Sequence, residues 1–327
     1  MDLTIPPGAE AFLTQAGWGG AVIEPLPGDA SFRRYFRIRR STGNAMLMHA
    51  PPPNEDPEPF LRAAKWLDAN ALRAPLILAE DAEQGFVLLE DFGDVRMREY
   101  LDAWPQDEEE VYRNAVDALL QLRKLPPGPF TAYSLAEYQR EASLFVDWYV
   151  PARGLYVDSR SWANAWGAVI SQLLPRQRPG VTVLRDYHAE NVMLLGGLEK
   201  QGLLDFQDAL VGHPAYDLVS LLQDARRDVS PELEARMLDY YMQKSGEGEE
   251  FLADYARLGA QRNAKIVGIF VRLWKRDGKP RYLDYIPRVW ALLERDLAHP
   301  ALAPVAEWFA THVPAELRAA GGGRFEP

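Results

Sequence analysis

The chain has no cysteine among its 327 residues. Disulfides, thiolate nucleophiles and cysteine-ligated zinc or iron–sulfur centres are therefore excluded, while the compartment is left open. Positive charge is in deficit, with 36 Lys and Arg against 47 Asp and Glu and a formal net charge of −11. That balance disfavours extended nucleic acid as a partner and still permits a local basic groove for a small phosphate ester. No apolar run is long enough to span a bilayer, and "MDLTIPPGAEAFLTQAGWGG" has no basic segment followed by an apolar stretch. A cytoplasmic protein without a membrane partner is expected. Long internal repeats and low-complexity tracts are also missing, and only the tail "AAGGGRFEP" reads as frayed.

A chain of this length supports one elaborate domain or two lobes. "AVIEPL", "FRRYFRIRR" and "AMLMHA" are short runs rich in β-formers, separated by the turn-prone "PGDAS" and "STGN". They predict an antiparallel meander. The spacing of apolar residues predicts a helix over 58–70, and "LILAE" and "GFVLLE" then flank the turn-like "DAEQ". A β-rich lobe over 1–90 is thus expected to precede a mainly helical lobe over 91–327. Amphipathic stretches at 108–124, 134–149, 161–174, 231–244 and 251–274 supply the helices. Only "VTVL", "VMLL" and "GLLDF" read as strands in this second part. The fold class is α+β with a small antiparallel N-terminal lobe.

The segment between these strands carries the chemistry. In "LRDYHAENVML" (184–194), Asp186 and Asn191 form a D-x-x-x-x-N pattern, which at average composition arises by chance about once in such a chain. The following residues add specificity. "VMLL" and "GLLDF" around "GGLEKQ" predict a hairpin, which would fold Asn191 beside Asp205. An asparagine and a carboxylate so placed suit Mg²⁺, which takes its remaining ligands from water and substrate phosphates. Asp205 would hold the metal on nucleotide phosphates, and Asp186 would accept the proton of an attacking hydroxyl. Each residue taken singly is as readily a turn or capping residue; the ordered set is not.

"LRDYHAEN" followed by "GLLDFQDALVGHPAYDLVSLL" resembles the aminoglycoside-phosphotransferase and choline-kinase branch of the protein-kinase-like fold. The resemblance implies a two-lobed kinase using ATP and Mg²⁺, with Asp186 as the catalytic aspartate and Asn191 and Asp205 as metal ligands. It also implies that Asp217 in "PAYDLVSLL" braces the catalytic loop, although Asp217 equally suits a helix start. Two departures stand out. Leu184 replaces the histidine usual two residues before the catalytic aspartate. Strand "AMLMHA" lacks the lysine that pairs with the nucleotide's phosphates. The nearest substitutes lie in "PGDASFRRYFRIRR", where Ser31 and the turn amides would bind phosphate oxygens and Arg33 or Arg34 would supply charge; arginines on a strand are as often a solvated face.

More narrowly, "GDASFRRYFR", "MHAPPPNEDPEPF", "GFVLLEDFGD", "LLDFQDALVGHPAYDLVSLL" and "KIVGIFVRLWKRDGKPRYL" resemble the anomeric sugar kinases of bacterial cell-wall recycling, a group that shares the missing lysine. The resemblance implies γ-phosphoryl transfer to the carbon-1 hydroxyl of a small-molecule amino sugar, N-acetylmuramate or N-acetylglucosamine. Adenine would sit near Glu90 in "LLEDF". Glu141, Tyr187 and His188 are candidates for the sugar, and Trp148 is better read as core. "KRDGKPRY" (275–282) is either a contact for the lactyl carboxylate or a solvated basic loop. A monomer is expected. Two other readings compete: an aminoglycoside or amino-alcohol kinase, and a non-catalytic nucleotide-binding relative, against which the complete Asp186, Asn191 and Asp205 set argues.

Overall fold

The computed structural model describes residues 4–27 and 33–325. The chain divides into two compact units, one of residues 1–114 with 190–209, the other of residues 115–189 with 210–327.

In the first unit, α1 (Ala9–Gln15) precedes a five-stranded antiparallel sheet of β1 (Val22–Pro25), β2 (Arg34–Arg40), β3 (Gly43–His49), β4 (Ile77–Asp81) and β5 (Phe86–Glu90). The spatial order is β1-β2-β3-β5-β4. The three-strand meander is present, and the β4–β5 hairpin joins it with β5 innermost. Side chains two apart share a sheet face, so Phe36 and Ile38, Ala45 and Leu47, and Phe86 and Leu88 project together. They form one buried cluster with Ala9, Phe12 and Leu13 of α1. Burying each large side chain contributes about 1.5–3 kcal/mol. The register is set by pairs from Arg34↔His49 to Arg40↔Gly43 and from Ala45↔Glu90 to His49↔Phe86. Helix α2 (Glu58–Ala69) follows the sheet's first three strands, and its Phe60 stacks on Phe206 at 5.1 Å between ring centroids. Helix α3 (Met97–Ala103) comes next. After α4 (Glu108–Lys124), the chain returns to this unit as a hairpin of β7 (Val192–Leu194) and β8 (Gln201–Leu203).

The second unit is mainly helical. Ser134 caps α5 (Leu135–Leu144): its hydroxyl accepts the Glu137 N–H at 3.2 Å. Where periodicity predicts one helix to residue 149, α5 instead passes into a π-helical turn, Phe145–Tyr149, and the short α6 (Val150–Ala152). Pro151 supplies no N–H to continue the regular ladder. Helix α7 (Ser159–Leu173) leads to β6 (Val181–Val183), which pairs with β9 (Leu210–Gly212), a strand the sequence pattern does not show. Three residues are too few to register a period.

Helix α8 (Ala215–Leu222) and α9 (Pro231–Ser245) precede the 28-residue α10 (Glu250–Asp277). The remaining helices are α11 (Ile286–Leu297), α12 (Ala303–His312) and α13 (Ala315–Ala319). Gly268 lets α10 press against α5, because a Cβ there would stand 2.2 Å from the Leu144 carbonyl oxygen. The tail, expected to fray, is held: Arg153 donates to the carbonyls of Gly322, Gly323 and Arg324, and its guanidinium lies 3.4 Å from the Phe325 ring centroid. No helix among the described residues is long and apolar enough to cross a membrane.

Candidate active site

Each unit carries part of the predicted set. In the second, β6 ends one residue before the catalytic loop, and Arg185 turns the chain with φ of 72°. A non-glycine residue in that region costs about 1–2 kcal/mol, so the surroundings must enforce it. They do so through Asp217 in the first turn of α8, whose carboxylate accepts the N–H groups of Leu184 at 2.7 Å and Arg185 at 2.8 Å. Burial pushes the Asp217 carboxyl up to about 7 against the pull of those two bonds. The Arg185 carbonyl accepts the Ser220 hydroxyl at 3.1 Å, and Arg262 donates to that hydroxyl at 2.8 Å.

Two further bonds fix the loop's later residues. The Tyr187 hydroxyl donates to the Ala115 carbonyl at 2.9 Å, and the Ala189 N–H to Asp224 at 3.1 Å. Asp186 is half-buried between these anchors.

Glu141, on α5, is 1% exposed. Its carboxylate receives Lys265 Nζ of α10 at 2.8 Å, the Arg185 guanidinium and the Tyr133 hydroxyl. Burial pushes its carboxyl up, but Lys265 and Arg185 outweigh this and the net displacement is downward. Arg185 is likewise held charged: burial works against it, and Glu141 beside it reverses the sign. His188 is buried with its ring 3.0 Å from Arg226, and Tyr187 is buried throughout. Arg185, Lys265, Ser220, Arg262 and Asp224 are thus parts of the brace that sequence reasoning missed. Lys265 opens "KIVGIFVRLWK", and nothing in that run marks the lysine as inward-facing.

In the first unit, the β7–β8 pairing Val192↔Leu203 carries Asn191 and Asp205 to the open end of the hairpin. Leu204 donates its N–H to the Asn191 carbonyl at 2.9 Å, and the Asn191 side-chain amide reaches Asp205 at 3.3 Å. Asp205 has φ of 57° and is exposed, with Gln207 donating to its other oxygen at 2.7 Å. No cluster of three or more His, Asp or Glu able to hold a metal exists among the described residues. One amide oxygen and one carboxylate nevertheless fit a hard cation that completes its shell with phosphate and water.

The nucleotide-side candidates separate. Ser31 lies outside the described residues. Arg33 stands 3.6 Å from Glu55 and bonds to Tyr35, whose hydroxyl is pushed up by burial and feels the charges of both Arg33 and Asp205. Arg34 is directed elsewhere, to the Thr4 carbonyl at 3.0 Å and the His49 ring at 3.4 Å. Farther along β2, Arg37 is buried rather than solvated and pairs with Asp91 at 2.8 Å and Asp94 at 2.7 Å. Glu90 is committed through its side chain to Arg73, which lowers its carboxyl, and to the Leu76 N–H at 3.3 Å.

Comparison with known proteins agrees with this architecture. A family model described as "Phosphotransferase enzyme family" matches residues 22–259. A Caulobacter vibrioides protein named N-acetylmuramate/N-acetylglucosamine kinase is 38% identical, covering 94% of this chain and 96% of its own. A Pseudomonas aeruginosa protein of the same name is 39% identical, covering 95% and 94%. Among solved structures, a choline/ethanolamine kinase family protein from Mesorhizobium loti superposes with a TM-score of 0.63 at 17% identity, over 92% of this chain and 97% of its own. The fold is the α+β, protein-kinase-like one, and the chain belongs to the phosphotransferase enzyme family.

Proposed function

We propose that the protein transfers the γ-phosphoryl group of ATP to the carbon-1 hydroxyl of an N-acetyl amino sugar, N-acetylmuramate or N-acetylglucosamine, in peptidoglycan recycling. The observation that carries the reading is the pair of curated relatives bearing that name at 38% and 39% identity over almost their full lengths. The braced Asp186 supports a catalytic role over mere nucleotide binding. Residues 1–90 serve the nucleotide in this reading, and residues 91–327 carry the catalytic loop and the acceptor site, a division of labour distinct from the two compact units. The protein works as a cytoplasmic monomer.

The Asp186 carboxylate orients the sugar hydroxyl and takes its proton as O1 bonds to the γ-phosphorus. The bond to the β–γ bridging oxygen breaks, and its electron pair leaves with ADP. A hemiacetal hydroxyl is more acidic than an ordinary alcohol, so orientation carries more of the work than early deprotonation. Asn191 and Asp205 would hold Mg²⁺, which when bound neutralises charge on the phosphate oxygens. Arg33, in reach of Tyr35 and through it of the charge on Asp205, takes the part of the missing strand lysine. Ser31 binds phosphate beside it, Arg34 stabilises the strand, and the backbone around Glu90 meets the adenine. Glu141, Tyr187 and His188 act on the acceptor through the loop they fix.

ADP release measured with ATP and Mg²⁺ over N-acetylmuramate, N-acetylglucosamine, glucose, choline and kanamycin tests the assignment. Turnover confined to the N-acetyl sugars is expected. Turnover with kanamycin or choline alone would replace it with an aminoglycoside or amino-alcohol kinase.

A further inference from the structure

Helices α5 and α10 run side by side in a register fixed by three contacts. Gln261 donates to the Tyr138 carbonyl at 3.0 Å, Lys265 reaches Glu141 at 2.8 Å, and Gly268 meets the Leu144 carbonyl. One helical turn beyond Gly268, the same register brings Arg272 alongside the π-helical turn Phe145–Tyr149. Such turns interrupt the regular ladder and recur at functional sites.

The charges around Arg272 do not balance. Arg140, on α5, is within electrostatic reach of both Arg272 and Arg185, the residue that precedes Asp186. It is already bound by both guanidinium edges to Glu137, with Nε at 2.8 Å. Arg276 is similarly bound to Asp277 at 2.7 and 2.9 Å. Arg272 has no hydrogen bond or ion pair among the described residues, and its Nε is buried without a partner. Burial, then Arg276 and Arg140, push its pKa down, with Asp277 opposing. A half-buried guanidinium beside two committed ones is a site that an added carboxylate would satisfy, and a planar fork matches that group bidentately.

We propose that Arg272, within the cluster it forms with Arg140 and Arg276 beside the π-helical turn, binds the carboxylate of an acidic amino-sugar acceptor and sets the preference for that acceptor over a neutral one. The inference rests on the proposed function and deepens it. N-acetylmuramate carries a carboxylate and N-acetylglucosamine does not, so the two sugars separate binding of the charge from catalysis.

The test compares kcat/KM of the full-length wild type, Arg272→Gln and Arg272→Lys on both sugars. Arg272→Gln is expected to lower kcat/KM for N-acetylmuramate about 10- to 100-fold, mainly through KM, as loss of a charge-assisted hydrogen bond implies. Its kcat/KM for N-acetylglucosamine should stay within about twofold, which also shows that the variant is folded. Arg272→Lys should recover part of the loss, since it restores charge without the fork. Equal losses on both sugars, or no loss on either, would overturn the role of Arg272 and leave the proposed function standing. Failure of the wild type to phosphorylate either sugar would overturn the proposed function and this inference with it.

Discussion

In the second unit the carboxylates that brace the Asp186 loop are buried and bound several times over: Asp217 takes two backbone N–H groups, and Glu141 takes a lysine, an arginine and a tyrosine. In the first unit, Asp205 at the mouth of the β7–β8 hairpin is exposed, and the amide of Asn191 reaches it at 3.3 Å. The two regions belong to one short stretch of sequence and solve opposite problems. A group that must orient a hydroxyl benefits from rigidity, because positioning completed during folding need not be repeated at each turnover. A group that shares a cation with a diffusing nucleotide must stay open to it.

The largest effect should come from exchanging a reacting carboxylate for its amide in each region. Asp186→Asn is expected to lower kcat about 10²- to 10⁴-fold with ATP binding nearly unchanged. Asp205→Asn should instead raise the Mg²⁺ concentration needed for half-maximal rate, without moving the denaturation midpoint. Steady-state rates over a Mg²⁺ series distinguish them, and equal Mg²⁺ dependence in both variants would erase the contrast.

Next in size is the brace. Lys265→Met leaves the Glu141 carboxylate buried with one fewer partner and should destabilise the fold by about 3–5 kcal/mol, read by urea denaturation. Below the urea concentration at which it unfolds, the variant should retain ATP binding and lose kcat, because the Glu141 carboxylate that holds Arg185 is itself held by one partner fewer. A smaller contrast separates neighbouring arginines. Arg33→Ala should raise the KM for ATP about tenfold, whereas Arg34→Ala should change it by less than about twofold, in keeping with its bonds to Thr4 and His49.

The mildest effect concerns pH and a second buried carboxylate. Asp254 is held down at about 2: burial pushes it up, but Arg176, His213 and Arg257 overcome that. Its folded-state pKa lies below the ordinary 3.8, so the stability it contributes is present above pH 4 and lost as the pH falls toward 2. The gap in urea midpoint between wild type and Asp254→Asn should therefore narrow over that interval. A gap independent of pH would assign the loss to packing.

Much of this was legible in the sequence because the relevant patterns are local. Alternation along "FRRYFRIRR" and "AMLMHA" gave the sheet, and the turn between "VMLL" and "GLLDF" gave the approach of Asn191 to Asp205. The long amphipathic helices were visible for the same reason. The brace was not. Glu141, Arg185 and Lys265 lie 44 and 80 residues apart along the chain, and nothing local tells a charge that will be buried against a partner from one that will face water. Arg37 shows the same limit: strand alternation cannot reveal that Asp91 and Asp94 wait for it. The π-helical turn escaped because its apolar residues keep near-helical spacing.

The central claim is the site of phosphorylation, and the phosphorus–proton correlation NMR spectrum of the purified sugar product tests it most directly. Coupling of the new phosphorus to the anomeric proton, with loss of the reducing end, is the predicted result. Coupling to the carbon-6 protons, with the reducing end retained, would contradict it.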